Sequence, residues 1–367
     1  MQCLRRRNVF QGLPSPVLGK HRRPLRHQHL NRGWFYTPQT RRLSLDALTS
    51  VLIPPAVFGG LLVTLWTYKC LMMIVFQNRI IYMPSVPPFS RSEQIADYAN
   101  QCRPVQWAEH SLQSVDGTAL KLIEGRLNAE SSSGRQKRLV ILYFQGNASS
   151  LPPRLPYLSS ILKTLQAQEQ THPRQVSILA LSYRGFWTSK GKPSQAGIEL
   201  DAEAALDWVL QRYEAKDTKV VLWGQSIGAG VASLAAARLL RKDPSKFKLV
   251  QGLLLETPFV GLRAMLVALY PQKWLPYRYL APFLWSTWDS RKALGEIGAG
   301  DVNMRVMLLQ AGDDEIVPDG QAAVLKSICR KHSMEVELEV IPGALHTEVM
   351  LKGRGRHHIV RFLTTMV

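Results

Sequence analysis

Short apolar runs alternate with amphipathic stretches along most of the chain beyond residue 105. Over Val105–Leu127 the pattern is that of two strands joined by a turn at Asp116-Gly117, which predicts a β-hairpin. Six further apolar runs have the length of buried strands, and stretches of helical periodicity separate them. The alternation predicts an α/β fold with a mainly parallel sheet flanked by helices. The predicted strands cover 139–144, 177–182, 219–223, 249–255, 305–309 and 336–341, and the predicted helices include 197–213, 227–240, 321–331 and 358–366.

The interval 259–300 is too long for a plain crossover between two strands. It holds seven of the 31 aromatic residues of the chain within Tyr270–Trp288. One interpretation is a small cap insertion at 259–300 that lines a site for an acyl or otherwise apolar substrate. The other is that these aromatic residues pack one helix onto the body. The seven are Tyr270, Trp274, Tyr277, Tyr279, Phe283, Trp285 and Trp288.

One long apolar stretch precedes the α/β pattern. No charged residue occurs from Leu48 to Tyr68, and Lys69 is the only one before Arg79. Because about 20 apolar residues suffice to cross a bilayer, residues 48–76 are predicted to be a single-pass transmembrane segment. A Pro-containing connector over 77–104 then leads to the α/β body at 105–367.

Positive charge is concentrated ahead of this stretch. The chain has a formal net charge of +19, and residues 1–45 hold ten Lys and Arg without an Asp or Glu. No base-reading motif follows this basic tail (residues 1–47), so a membrane is the expected partner and nucleic acid is not. A basic N-terminus facing the cytoplasm favours the endoplasmic reticulum, with the body in the lumen. An Arg-rich leader without acidic residues also leaves the mitochondrial inner membrane open.

The most specific chemical signal is Gly-Gln-Ser-Ile-Gly at 224–228. It lies between a predicted strand and a predicted helix of small residues, which is the context of a nucleophile elbow. Such a turn presents a serine hydroxyl clear of the sheet, and the small flanking residues make room for it. Ser226 is therefore the candidate nucleophile.

A serine nucleophile needs a histidine as its base and a carboxylate to orient that histidine. On this kind of sheet the acid and then the histidine follow the serine in the chain. Asp314 follows the strand 305–309 and His346 follows the strand 336–341, so these two are predicted to complete the triad. Asp313 is the alternative acid. The remaining downstream histidines, His332, His357 and His358, are expected at the surface.

An oxyanion hole requires two backbone amides near the nucleophile. The amide of Ile227 is one candidate, and the amide of Asn147, in the loop after the strand 139–144, is the other. An ordinary strand-to-helix turn is the alternative interpretation of that loop. No Cys/His cluster has zinc spacing, so neither a metal nor a cofactor is expected. Cys102 and Cys329 allow one disulfide without implying it.

With these motifs in order, the chain resembles the bud emergence protein 46 family of membrane-anchored α/β-hydrolases. It is also similar to the α/β-hydrolase domain-containing protein 13 and 17 groups. The motifs that carry the resemblance are FQNRIIYMPSVPP, FQGNA, SYRGF, LDAEAALDWV, WGQSIGAGVA, WDS, GDDEIVP and GALH. The resemblance implies an α/β-hydrolase fold and a Ser226–Asp314–His346 triad. Gln145 and Ser149 depart from the family, which commonly has His and Gly at these positions of the oxyanion loop.

The expected function is a membrane-anchored serine hydrolase that cleaves a carboxyl ester or thioester, in a lipid or an acyl-protein, through an acyl-enzyme. A non-catalytic scaffold with the same fold is the alternative from a different class. A serine peptidase is a narrower alternative, since a triad does not by itself distinguish an amide from an ester.

Overall fold

The computed structural model describes residues 45–127, 137–168, 175–213, 218–300 and 302–366. The chain divides into two units, Met1–Phe58 and Gly59–Val367. The described part of the first unit is the beginning of a long helix. Apart from its last three residues, the basic tail predicted over 1–47 lies outside the described residues.

Eight strands and eleven α-helices occur in the described ranges. The strands are β1 (Gln106–Gln113), β2 (Ala119–Arg126), β3 (Arg138–Phe144), β4 (Gln175–Ser182), β5 (Thr218–Gln225), β6 (Val250–Glu256), β7 (Arg305–Ala311) and β8 (Val336–Ile341). The helices are α1 (Leu45–Val75), α2 (Gln77–Tyr82), α3 (Ala99–Cys102), α4 (Leu155–Gln168), α5 (Gln195–Arg212), α6 (Ile227–Lys242), α7 (Pro244–Phe247), α8 (Leu262–Leu269), α9 (Ser290–Ala299), α10 (Gln321–Lys331) and α11 (Gly353–Thr365).

All eight strands belong to one sheet, in the order β1-β2-β4-β3-β5-β6-β7-β8. β1 and β2 form the predicted antiparallel hairpin, and β2 pairs antiparallel with β4. From β4 across to β8 every neighbouring pair is parallel. The central strands are almost continuously apolar because helices cover both faces of the sheet. The predicted fold class is confirmed.

Two apolar layers enclose the sheet. Buried side chains of α5, α6, α9 and α10 pack on one face, and those of α4 and α11 pack on the other. Cys102 and Cys329 are free thiols buried in different layers, so the possible disulfide between them does not form. The helix α4 was not among the predicted helices, and α11 begins five residues before the predicted start.

The aromatic-rich interval has two structural parts. Its C-terminal part is α9, which buries Ala293, Leu294 and Ile297 in the same layer as α6. We call residues 261–288, which precede α9, the cap segment; they contain α8 and a 3-10 helix at Pro276–Phe283. Trp288 is fully buried, whereas Trp274 and Trp285 are exposed. The burial of Trp288 agrees with packing onto the body, whereas the role of the cap as the lining of a substrate site stays a prediction.

The helix α1 could cross a membrane, judged by its length and composition. Thr49–Val75 is the one stretch of 27 residues in the described chain that meets this test. Its apolar side chains are exposed, including Val63, Leu65 and Leu71. Exposed apolar side chains on a helix of this length are typical of a surface that faces lipid.

The turn between β5 and α6 consists of a single residue, Ser226, with φ 55° and ψ −119°. A positive φ is costly for a residue with a side chain. The glycines on either side allow the close packing that fixes the turn. A Cβ at Gly224 would lie 2.1 Å from the Gly228 carbonyl oxygen, and one at Gly228 would lie 2.1 Å from the Phe144 carbonyl oxygen. The sharp turn predicted from the sequence is thus held by backbone-to-backbone contact.

We expect Gly228→Ala to destabilise the protein by at least about 3 kcal/mol, because the methyl group meets backbone that cannot move aside. Gly295→Ala, in α9, is the matched control: nothing lies within 4 Å of its Cβ position. This control is expected to gain about 0.5–1 kcal/mol from helix propensity. Urea unfolding of both variants measures the two effects, and equal midpoints would contradict the packing explanation.

Candidate active site

The structure brings together Ser226, His346 and Asp314, which are separated by up to 120 residues in the chain. Ser226 follows β5, Asp314 follows β7 and His346 follows β8, at the carboxyl ends of parallel strands. The Ser226 Oγ lies 2.8 Å from the His346 Nε2. The His346 Nδ1 lies 2.9 Å and 3.0 Å from the two carboxylate oxygens of Asp314. The geometry suits an imidazole that donates from Nδ1 to the carboxylate and accepts a hydrogen bond from the Ser226 hydroxyl at Nε2.

The surroundings of Asp314 distinguish it from Asp313, the alternative acid. Its Oδ1 accepts the amides of Ile316 and Val317, at 2.9 Å and 2.7 Å. Burial raises the pKa of Asp314, but its hydrogen bonds with His346 and these amides outweigh burial and hold the pKa below its ordinary value. Asp313, the alternative acid, is exposed, and its amide donates to the Ala344 carbonyl.

The other histidines lie outside this arrangement. His332 caps the C-terminal end of α10. His358, expected at the surface, is instead buried on α11, with its Nε2 3.7 Å from the Glu339 carboxylate. The surface expectation for His358 was wrong because the face of α11 that packs on the sheet includes it.

The candidate oxyanion loop follows β3 and packs against the nucleophile. A Cβ at Gly146 would lie 3.5 Å from the Ser226 Cβ. The amide of Ile227 is the first of α6, where helix amides have no intrahelical partner. Neither this amide nor that of Asn147 donates to another described residue. Two unpaired amides beside a serine are the components of an oxyanion hole.

A segment not predicted to contribute to the site holds this loop in place. We call residues 77–86 the juxtamembrane strap. The carbonyl of Tyr82 accepts the amide of Ala148 at 3.0 Å, and the carbonyl of Val86 accepts the amide of Ser149. Ala148 and Ser149 both have positive φ, at 58° and 61°. The strap therefore stabilises a strained backbone next to Asn147.

The side chain of Tyr82 ties the strap to the cap segment. Tyr82 is 1% exposed, and its hydroxyl accepts the Trp288 Nε1–H at 3.0 Å and lies 2.9 Å from the Ser286 Oγ. Trp288 in turn packs on α6, since a Cβ at Gly230 would lie 3.1 Å from the Trp288 Cβ. The motif FQNRIIYMPSVPP was the only sequence signal for this element, and it gave no indication of these contacts.

A cluster of buried polar side chains lies beneath Ser226, and the sequence did not predict it. The backbone carbonyl of Glu256, the last residue of β6, accepts the amide of Ser226 at 2.8 Å. Its carboxyl group is fully buried and accepts the Met350 amide at 3.1 Å and the Trp223 Nε1–H at 3.2 Å. Burial raises the pKa of Glu256 to about 7. The adjacent Gln225 accepts from the Arg154 guanidinium at 2.5 Å.

Among the described residues, no group of three or more His, Cys, Asp or Glu is placed to hold a metal ion. The candidate site itself consists of a serine, an imidazole and a carboxylate in hydrogen-bonded sequence. This arrangement can activate a hydroxyl group for attack on a carbonyl carbon.

No protein-family model matches the chain. It is 28% identical over 304 residues to alpha/beta hydrolase domain-containing protein WAV2 of Arabidopsis thaliana, covering 81% of this chain and 88% of that protein. Identity to Protein bem46 of Schizosaccharomyces pombe is 27% over 229 residues, covering 62% and 68%. Identity to lysophosphatidylserine lipase ABHD12 of Xenopus tropicalis is 30% over 184 residues, covering 49% and 44%.

Solved structures agree on the fold. An alpha-beta hydrolase from Vibrio vulnificus superposes with a TM-score of 0.56 at 16% identity, covering 80% of this chain and 92% of that one. A fungal esterase from Rhizomucor miehei gives 0.53 at 15% identity, covering 75% and 89%. The fold is that of the α/β-hydrolases, and its esterase and lipase relatives support hydrolase activity. Within this class the chain is a homologue of bem46, WAV2 and ABHD12, which confirms the resemblance to the bud emergence protein 46 family.

The buried Glu256 carboxyl group predicts how the free energy of unfolding depends on pH. Its pKa of about 7 in the folded protein exceeds the ordinary 4.5, so the folded state binds the proton more tightly. The free energy of unfolding should therefore fall as the pH rises from about 4.5 to about 7, by roughly 3 kcal/mol. We expect Glu256→Gln to lack this decline, which urea midpoints at pH 5 and pH 8 will measure.

Glu337→Gln, at an exposed position on β8, controls for the loss of one negative charge. If Glu256→Gln and wild type lose the same stability between these pH values, Glu256 does not titrate in this range.

Proposed function

We propose that the chain is a membrane-anchored serine hydrolase that cleaves a carboxyl ester or thioester. The observation that carries the proposal is the continuous hydrogen-bonded series from Asp314 through His346 to Ser226. No structural requirement of the sheet explains a serine, an aspartate and a histidine in contact at three separate strand ends. A non-catalytic scaffold would not need the buried carboxylate that orients His346.

In the proposed reaction, the Ser226 Oγ attacks the substrate carbonyl carbon while the His346 Nε2 takes the serine proton. The carbonyl oxygen becomes an oxyanion, which accepts hydrogen bonds from the amides of Ile227 and Asn147. Asp314 keeps the imidazole in the productive tautomer and stabilises the imidazolium that forms. His346 then returns the proton to the departing alcohol or thiol, leaving an acyl-enzyme.

Deacylation repeats these steps with water. His346 removes a proton from the water molecule as its oxygen attacks the acyl carbon. The second tetrahedral intermediate collapses, the Ser226 Oγ leaves and recovers its proton from His346, and a carboxylic acid is released. No step requires a group beyond the residues named here.

The relatives and the apolar helix α1 support the proposed substrate class. ABHD12 is named as a lysophosphatidylserine lipase, and esterases share the fold. The exposed apolar helix α1 precedes the strap directly, so a membrane lipid or an acylated protein is the substrate within reach of the site. We further propose that the basic tail faces the cytoplasm and that the body lies in the lumen of the endoplasmic reticulum; the mitochondrial inner membrane is the alternative.

We expect Ser226→Ala to lower the turnover of a p-nitrophenyl ester by about 10⁴- to 10⁶-fold in the full chain. Ser233→Ala is the matched control, because Ser233 is also buried on α6 but its hydroxyl donates to the Ala229 carbonyl. It is expected to leave turnover unchanged. Full activity in Ser226→Ala would rule out Ser226 as the nucleophile.

A further inference from the structure

An apolar groove lies between the cap segment and the end of α1 together with the strap; we call α1 the anchor. Its walls are formed by Ile74, Ile80 and Ile81 on one side and by Leu266, Leu280 and Phe283 on the other, and its cavity measures about 110 Å³. The lining of the groove is almost wholly apolar, so water gains few hydrogen bonds there and an apolar group is favoured. The groove is thus suited to a hydrocarbon and unsuited to a polar ligand.

The one polar residue at the groove, Gln77, is engaged by its surroundings. Its Nε2–H donates to the carbonyls of Ile74 and Phe283, at 2.9 Å and 3.1 Å, and its Oε1 accepts the Trp285 amide at 2.7 Å. These bonds join the end of α1, the beginning of α2 and the cap segment into one framework. The groove is therefore a built feature in which the anchor supplies one wall.

The outer face of the cap segment is apolar and exposed. Trp274, Phe283 and Trp285 are 69%, 55% and 62% exposed. The ring of Trp274 lies 6.3 Å from that of Trp66 on α1. Because Trp66 is nine residues from the end of α1, the cap segment extends about 14 Å along that helix. Trp66 lies near the middle of the apolar stretch Thr49–Val75, so Trp274 contacts the part of α1 that is apolar on both sides of the contact.

The charges around the groove also favour a lipid surface. Residues 59–90 and 261–288, which supply both walls, contain five Lys and Arg and no Asp or Glu. Basic residues next to a spanning helix are attracted to anionic lipid headgroups. The groove therefore opens where hydrocarbon and anionic headgroups meet.

The groove borders the strap, which contacts the candidate oxyanion loop. Ile81 lines the groove, and the next residue, Tyr82, holds the oxyanion loop through its carbonyl. The same tyrosine bonds to Trp288, which packs on the helix that begins at the nucleophile. A chain lying in the groove would thus have its end near the loop that contains Asn147.

We propose that this groove binds an acyl chain of a membrane phospholipid and guides it from the bilayer toward Ser226. The proposal deepens the proposed function and rests on it, since it assigns the substrate's acyl chain to a surface formed jointly by the anchor and the cap segment. In this proposal the groove binds the hydrocarbon chain and the basic residues contact the headgroup. The ester bond then lies on the side of Ser226.

The direct test needs no catalysis. The full chain is reconstituted into vesicles of phosphatidylcholine and phosphatidylserine that contain a phosphatidylserine with a photoactivatable diazirine in its acyl chain, and the crosslinked residues are mapped by mass spectrometry. We expect crosslinks on 280–284 in the wild type. Leu266→Trp, which fills the groove, should reduce them at least tenfold while crosslinks on residues 59–65 persist.

Leu269→Trp is the matched control, because Leu269 lies on the same helix α8 but is exposed and outside the groove. It should leave the crosslinks on 280–284 intact. Equal crosslinking in Leu266→Trp and wild type would overturn the proposal and indicate that the cap segment only rests on the bilayer.

Catalysis provides a second, separable readout. Leu266→Trp should lower the ratio of palmitoyl-ester turnover to acetyl-ester turnover at least tenfold, and Leu269→Trp should leave that ratio at the wild-type value. Equal loss of turnover for the two esters, or no loss for either ester, would contradict a role in acyl-chain binding. If the wild type cleaves no ester at all, the proposed function fails, and the lipid crosslinks still decide whether the groove binds an acyl chain.

Discussion

The close approach of β5, α6 and the end of β3 is the constraint on which the site depends. Gly224 and Gly228 let these backbones meet without side chains between them, and Ser226 is left on a turn with positive φ. The strain at one residue is stored because the packed sheet and helix leave the backbone no alternative. The same approach places the oxyanion loop against the serine, so the nucleophile and the candidate donors share one packing arrangement.

Much of this arrangement could be predicted because it is encoded locally. The glycine pattern of the elbow, the apolar strands and the residues just after β7 and β8 are each readable within a few positions. Order along the chain then relates Asp314 and His346 to Ser226. The assignment of the two oxyanion amides remains a prediction, since it concerns where a substrate oxygen would lie.

The parts that sequence reasoning missed depend on contacts between distant segments. The strap acts through the backbone carbonyl of Tyr82, which any residue would supply, so no residue type signals it. Glu256 ends an apolar strand, and only the folded arrangement reveals that its carboxyl group is buried beneath the nucleophile. The interval 259–300 includes α9, which packs in the same layer as α6. The strap follows α1 directly and contacts the candidate oxyanion loop.

The most direct test of the central claim is labelling of the full chain by a fluorophosphonate probe, which reacts with an activated serine. The account predicts one probe per chain, attached to Ser226 in the peptide mapped by mass spectrometry, and no attachment in Ser226→Ala or His346→Ala. Folded protein that takes up no probe, or that carries it on another serine, would contradict the account.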